Sequence, residues 1–324
     1  MPEGAVLKID GFLVAIMIAV GLAFAAPAIG ASEGPLALGF LTDMGVALVF
    51  FLHGANLSPE SLRAAARNWR LHGLIQACTY VLFPAVGLLV WWGSESILPP
   101  ELRLGFFFLC AISSTISSSV AMTALARGNV APAVFNATLS GLLGMVLTPL
   151  LLALVVSGGA QFGGVASQVG GVFAKLLVPF IIGQACRSLV LGFLQRNKPI
   201  VNKADRAVIV LIVYVAFCDA ALAGMWTSGN AAAIIIVTGL CSLLLLFALA
   251  FTTRASRVLK LPVEDEIAAV FCGSKKSLAN GAPIGKVIFG ASPALSLILV
   301  PLLVYHQLQL LVCAVLARKY CARR

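Results

Sequence analysis

Long apolar segments recur along the whole chain and constrain its fold more than any other feature of the sequence. Runs bounded by charged residues, glycine or proline predict ten helices long enough to cross the roughly 30 Å hydrocarbon core of a bilayer. Only 10% of the 324 residues are charged, whereas soluble domains carry about 25%. We therefore expect an all-α polytopic membrane protein, with spans at residues 8–30, 35–56, 71–93, 102–127, 131–157, 169–195, 205–227, 230–254, 264–291 and 293–317.

Basic residues are concentrated on one predicted side of these spans. Most of the 22 Lys and Arg residues lie near the start of the chain, after spans 2, 4, 8 and 10, or between spans 6 and 7; they include Lys8, Arg63 and Arg67. Because positively charged loops stay in the cytoplasm, both termini are expected to be cytoplasmic in a protein of the cell inner (plasma) membrane. The net charge of +10 therefore reflects topology and does not indicate a nucleic-acid partner.

The sequence has no pattern typical of an enzyme, a metal site or a cofactor site. Its eight cysteines have neither metal-ligand nor disulfide spacing. A Ser-His-Asp order, an HExxH motif and paired catalytic carboxylates are not found in it. We expect no enzyme activity, no cofactor and no metal centre.

The two halves of the chain follow the same plan. In each half the fourth span is interrupted by polar residues, which makes spans 4 and 9 equivalent. Five helices is an odd number, so the second half must enter the membrane from the opposite side, as in the inverted repeats of secondary transporters. We expect one membrane transporter domain, 1–324, with repeats at about 8–157 and 169–317.

Span 4 carries a dense cluster of hydroxyl side chains. A partly unwound helix that lines a cavity can offer such hydroxyls, together with freed backbone groups, to an ion or an anion. Tight helix packing through small residues is the alternative. The candidate binding residues are Ser113, Ser114, Thr115, Ser117, Ser118 and Ser119.

Span 9 carries two adjacent lysines in an apolar stretch. One charged lysine at the centre of a membrane helix costs about 2.5–3.5 kcal/mol, so two require water or a counter-ion, or must lose their protons. The alternative is that this segment is a loop with both lysines solvated. Because neighbouring helix positions differ by about 100°, only one lysine can face a given cavity. The candidate binding residues are Ser274, Lys275, Lys276, Ser277 and Asn280.

A few further polar residues within spans could complete the site. The possible charge partners of the lysines are Asp219, His53 and Asp43, acting in a structural ion pair or a proton relay. Neutral ligands could come from Gln76, Asn136 and Thr138, each of which could equally make an ordinary hydrogen bond between helices.

Several segments resemble the bile acid:sodium symporter family, most closely its SBF-like branch. The resemblance implies two inverted five-helix repeats, with panel helices 1, 2, 6 and 7 and core helices 3, 4, 5, 8, 9 and 10. It also implies that helices 4 and 9 unwind and cross where substrate binds. The segments are Phe50-Phe51-Leu52-His53-Gly54, Leu57-Ser58-Pro59-Glu60, Asn68-Trp69-Arg70-Leu71-His72 with Gln76 and Pro84, Met122-Thr123-Ala124-Leu125-Ala126-Arg127-Gly128-Asn129 and Phe271-Cys272-Gly273-Ser274-Lys275-Lys276-Ser277-Leu278.

The chain departs from this family at the residues that bind sodium. The helix 9 glutamate position falls on Phe271 or Cys272, the helix 4 Ser-Asn pair on Ser119-Val120, and two helix 5 ligands on Ala133 and Ala137. These replacements remove oxygen donors that a hard cation needs. We hypothesise that a lysine ammonium fills the space of the sodium ion and supplies positive charge for an anion.

The expected function is secondary transport of a small organic anion by alternating access. The resemblance implies a bile-acid-like or other carboxylate or sulfonate substrate, and the coupling ion stays open between a proton, none and sodium. Two alternatives remain: a non-transporting membrane regulator of ion uptake, and a sodium-dependent symporter with rearranged ion ligands. The expected partners are the anion and the lipid bilayer.

Overall fold

Helices account for all regular structure in the part of the chain that the computed structural model describes, which is residues 11–57, 68–156, 165–226, 228–290 and 292–323. Lys8, Arg63, Arg67 and the motif residues Ser58-Pro59-Glu60 lie outside this part. The helices are α1 Gly11–Ala25, α2 Pro27–Gly30, α3 Leu38–Asn56, α4 Trp69–Gly93 with a π-helical segment Cys78–Leu82, α5 Pro100–Ala111, α6 Ser117–Leu125, α7 Val130–Val156, α8 Val165–Ala185, α9 Arg187–Arg196, α10 Lys198–Leu222, α11 Ser228–Val258, α12 Val263–Gly273, α13 Leu278–Phe289 and α14 Leu295–Cys321.

Within the described ranges, five of these helices are long and apolar enough to cross a membrane, or six if α8 and α9 form one bent span. Large apolar side chains such as Leu89, Leu154, Ile235 and Leu243 are exposed on the outer surface, as lipid contact requires. The chain is therefore a multi-pass, all-α membrane protein. The count of ten spans stays a prediction.

The predicted sixth span differs most from the structure. The sequence predicts one helix over residues 169–195, but the structure bends by 86° between Gly170–Ala185 and Arg187–Arg196. After the bend, Val190 and Leu194 pack against Leu52 and Ala55 of α3. A straight continuation of α8 would carry Leu194 away from this contact, so tertiary packing decides the direction of α9.

The interruptions predicted in spans 4 and 9 are both present. Residues 112–116 separate α5 from α6, and residues 274–277 separate α12 from α13. The two breaks face each other, since the backbone N–H of Ser277 donates to the carbonyl of Ser113 over 2.9 Å. Helices α5 and α12 are buried around most of their circumference and hold the breaks deep inside the protein.

Two glycines let α3 and α8 touch backbone to backbone. A Cβ atom added at Gly54 would lie 2.0 Å from the carbonyl oxygen of Phe180, and one added at Gly183 would lie 2.1 Å from that of Phe51. Small residues at such a contact are typical of closely packed membrane helices. Helix α1 packs in turn on α10, and α10 also contacts α3.

Candidate binding site at the two helix breaks

Hydroxyl side chains from the first break bind the carbonyls that the second break sets free. Ser114 Oγ donates to Cys272 O at 2.6 Å, and Ser119 Oγ donates to Phe271 O at 2.9 Å. A helix end leaves carbonyls without intrahelical partners, and these hydroxyls satisfy two of them. Two of the predicted binding hydroxyls are therefore used inside the protein.

A second pair of contacts joins the same breaks. Asn280 Nδ2 donates to Ser113 Oγ at 2.8 Å, and the Ser277 side chain caps α13 by accepting from the backbone of Asn280. The Ser274 hydroxyl returns to Val270 O one turn earlier. These contacts stabilise the breaks, and they leave Thr115 and Ser117 as the span 4 hydroxyl residues that line open space.

Lys276 holds the two breaks together through its ammonium group. Its Nζ donates to Cys110 O and Ile112 O at 2.8 Å each, and to Thr79 O at 3.0 Å. The ring of Phe83 lies 4.2 Å from the same nitrogen. Three carbonyls use all three ammonium donors, and two of them lie at the negative end of α5, where a cation is favoured. The side chain is 0% exposed.

Lys275 points in a different direction and has fewer partners. Its Nζ donates to Ser118 O at 3.0 Å and lies 5.7 Å from the ring of Phe271. In the described chain no other acceptor is recorded for this nitrogen, so two of its donors are available. This side chain is also 0% exposed, which contradicts the alternative of a solvated loop with two hydrated lysines.

The last helix supplies two residues that the sequence analysis missed. Gln309 pairs with the backbone of Lys276 in both directions, with both distances 2.8 Å, and Tyr305 Oη donates to Ser274 O at 2.6 Å. Both side chains are buried. Tyr305 and Gln309 are one turn apart on the same face of an apolar helix. This spacing of two polar residues is the sequence feature that could have identified them.

The predicted neutral ligands form a network beside the breaks. Gln76 Nε2 donates to Asn136 O at 3.1 Å, and Asn136 Nδ2 contacts His72 Nδ1 at 2.8 Å. The Oε1 atom of Gln76 is buried without a partner. Thr138 instead bonds back to Val134 O, one turn earlier. Gln76 and Asn136 are thus brought together, whereas Thr138 makes an ordinary intrahelical bond.

The residues aligned with the family's sodium ligands offer little oxygen here. Ala133 and Ala137 are buried on α7, and the thiol of Cys272 lies 3.6 Å from Ala133 O. Ser119 keeps its hydroxyl, which is bonded to Phe271 O. The described residues contain no group of His, Cys, Asp and Glu side chains that could hold a metal ion.

The predicted charge partners lie apart from the two lysines. Asp219 Oδ1 accepts from the backbone N–H of Ser32 at 2.8 Å, while Asp43 and His53 line two separate cavities. No ion pair between Lys275 or Lys276 and a carboxylate is recorded among the described side chains. Backbone carbonyls take the place of the expected carboxylate.

Two cavities lie at different positions along α3 and α13, one at the breaks and one at the far end of α13. The Lys286 cavity, of about 720 Å³, is formed by α3, α8 and the end of α13, and includes Asp43, Lys175 and Lys286. The His53 cleft, of about 160 Å³, is formed by α3, α10 and both breaks, and includes His53 and Asp205. Sequence reasoning missed Asp205, Lys175 and Lys286 as cavity residues, because no local pattern brings distant helix ends together.

The Asn68 and Asn129 motifs meet at one carboxylate. Asp265 accepts from Asn68 Nδ2 at 2.7 Å and from Asn129 Nδ2 at 2.9 Å, and so ties the starts of α4, α7 and α12 together.

We expect Asp265→Asn to place an amide donor against one of these donors and to destabilise the fold by about 1–3 kcal/mol. Thermal unfolding in detergent measures this effect; Glu264→Gln, at the exposed neighbouring position, is the control. Equal melting temperatures of the two variants would contradict the role of Asp265.

A multi-pass helical protein with two interlocked broken helices, a cleft at the breaks and a second cavity farther along the same helices has the architecture of a membrane transporter. The comparisons with known proteins agree with this class. Residues 10–322 match the SBF-like CPA transporter family, and the chain belongs to that family. It is therefore a membrane transporter of a small molecule and not an enzyme.

Three relatives cover nearly the whole chain. It is 44% identical over 315 residues to the protein PA2026 of Pseudomonas aeruginosa, with 97% of this chain and 94% of that protein covered. It is 41% identical over 280 residues to YfeH of Escherichia coli (strain K12), provisionally named a symporter, covering 86% and 84%. It is 34% identical over 314 residues to sodium/bile acid cotransporter 7 of Mus musculus, covering 95% and 91%.

Proposed function

We propose that this protein is a secondary transporter that moves a small organic anion by alternating access without a bound sodium ion. The observation that carries the proposal is the pair of cavities, which share the walls α3 and α13: one lies at the helix breaks and the other at the far end of α13. Asp43 and His53, one in each cavity, are ten residues apart on α3, which is about 15 Å along a helix.

The architecture we propose has ten spans in two inverted repeats, about 8–157 and 169–317. In each repeat a broken helix is followed by a helix of 27 residues, α7 and α14. The panel would contain α1, α3, α8 with α9, and α10; the core would contain the remaining long helices. Both cavities lie between these two groups, so a movement of one group against the other would close one cavity as it opens the other.

For the two lysines we propose different roles. Lys276 replaces the sodium ion, since three backbone carbonyls surround its ammonium as oxygen ligands surround a cation. Lys275 has one recorded acceptor, so it can donate to a substrate anion or release a proton. Coupling would then be to protons or to exchange. Both termini and the His53 cleft would face the cytoplasm of a plasma-membrane protein.

Transport into proteoliposomes tests this function. We expect uptake of a labelled anion, taken from a panel of bile acids, steroid sulfates and keto acids, to be equal with a sodium gradient and with choline in its place. Lys275→Gln should reduce uptake at least tenfold, and Lys275→Arg should retain part of it because the positive charge remains. The matched control is Lys198→Gln, an exposed residue outside both cavities. A strict requirement for the sodium gradient would overturn the proposal.

A further inference from the structure

Lys286 is a buried cation that the proposed transport mechanism does not use. It lies in the last turn of α13, is 7% exposed and lines the Lys286 cavity. In the part of the chain that the structure describes, no hydrogen bond or ion pair is recorded for its Nζ. An ammonium that is shielded from water gains from an anionic partner, and the cavity is the open space beside it.

The rest of the cavity fits an anion with an apolar body. Lys175 projects from α8 on another wall and is exposed, so a second positive charge lies at the mouth. Much of the remaining wall is apolar and includes Phe40, Met44 and Val287. A volume of about 720 Å³ is within the range of small-molecule sites.

Two carboxylates also line this cavity, and they differ from Lys286 in their exposure to solvent. Asp43 and Glu33 are both exposed, whereas Lys286 is buried. Solvation and salt weaken the field of exposed charges, while a buried charge keeps most of its field. An anionic group would therefore bind deep in the cavity at Lys286, and Asp43 would oppose its approach.

We infer that the Lys286 cavity is a second anion-binding site, which captures the carboxylate, sulfonate or sulfate group of an amphipathic anion before it reaches the helix breaks. The inference rests on the proposed function for the identity of the ligand as the transported anion. The site is separate from Lys275 and Lys276, because Lys286 lies eight residues beyond the start of α13, about 12 Å along the helix.

Binding to the purified full-length protein in detergent tests the site apart from transport. The probe is labelled estrone sulfate, with hexanesulfonate as a second probe. We expect Lys286→Gln to weaken binding at least tenfold, or about 1.4 kcal/mol, since it removes a charge-assisted hydrogen bond to the anion. Lys175→Gln should weaken it by a few-fold and Asp43→Asn should strengthen it, whereas Lys198→Gln should leave it unchanged.

The outcomes separate this inference from the proposed function. Absence of saturable binding of both probes to the wild-type protein, or equal binding by Lys286→Gln, overturns the second site even if transport is intact. Probe binding that depends on Lys286 supports it even if no uptake is found. If phosphatidylglycerol displaces the probe from nanodiscs at equimolar amounts, the cavity is a lipid site and the capture role is overturned. Because Lys286 has no recorded partner, the Gln variant should keep the wild-type melting temperature, which serves as its folding control.

Discussion

Lys276→Ala is expected to destabilise the protein by about 3–5 kcal/mol, because it leaves three buried carbonyl oxygens without a donor and opens a cavity between the helix breaks. The oxygens belong to Thr79 on α4 and to Cys110 and Ile112 at the end of α5. Thermal unfolding in detergent measures the loss. Lys275→Ala is the matched control, since that ammonium has one recorded acceptor and its removal should cost less.

The same variant tests whether the ammonium stands in for a metal ion. Three carbonyls directed at one vacated point are the type of ligand set that binds monovalent cations. We expect sodium chloride to raise the melting temperature of Lys276→Ala above that in choline chloride at equal ionic strength, and to leave the wild-type protein unaffected. If Lys276→Ala unfolds at the wild-type temperature, or if sodium has no more effect than choline, the replacement hypothesis is wrong.

Gly54→Ala and Gly183→Ala are expected to destabilise the protein by about 1–3 kcal/mol each, and to abolish transport if α3 and α8 must stay in contact. A Cβ at Gly54 would lie 2.0 Å from the Phe180 carbonyl oxygen, and one at Gly183 would lie 2.1 Å from that of Phe51, so no side-chain rotation can relieve the clash. Only a separation of the two helices can accommodate the extra atom. Thermal unfolding and proteoliposome uptake together measure the effect.

Gly171→Ala is the matched control for the α8 variant. It lies on the same helix, and a Cβ there would have no atom within 4 Å. Since Ala favours the helix over Gly by about 1 kcal/mol, this change should leave the melting temperature equal or slightly higher. If Gly171→Ala and Gly183→Ala behaved alike, the close backbone contact of α3 with α8 would not be important for stability.

Much of the helical architecture could be predicted from local patterns. Apolar runs identify the long helices, and the polar interruptions at residues 113–119 and 273–277 coincide with the observed breaks. The two lysines stand out because an apolar helix tolerates such residues poorly. The bend at Cys186 was not predicted, because the contact of Leu194 with Leu52 that accompanies it joins residues far apart in sequence.

The segments that meet at the helix breaks could be predicted from the sequence, and their contacts only in part. Lys275 and Lys276 do contact the span 4 segment, through the backbone carbonyls of Ser118 and Ile112, and Gln76 does meet Asn136. Asp219 was expected to be a charge partner of the lysines, but its carboxylate accepts a hydrogen bond from Ser32 N instead. Carboxylates are visible in a sequence, whereas the backbone carbonyls that bind Lys276 are present at every residue and give no signal.

By itself, the sequence determined that this chain is a helical membrane protein with two interrupted helices. It also showed that two lysines lie within an apolar segment, where a charged side chain is costly. Those properties follow from the free energy of transferring each segment into hydrocarbon, which depends on local composition. Only the tertiary structure decided that Lys276 binds three carbonyls, that Lys275 keeps donors available and that Lys286 lies in a separate cavity. The physical reason is that a hydrogen bond of an ammonium acts over about 3 Å, and folding alone brings residues 79, 110 and 276 within that distance.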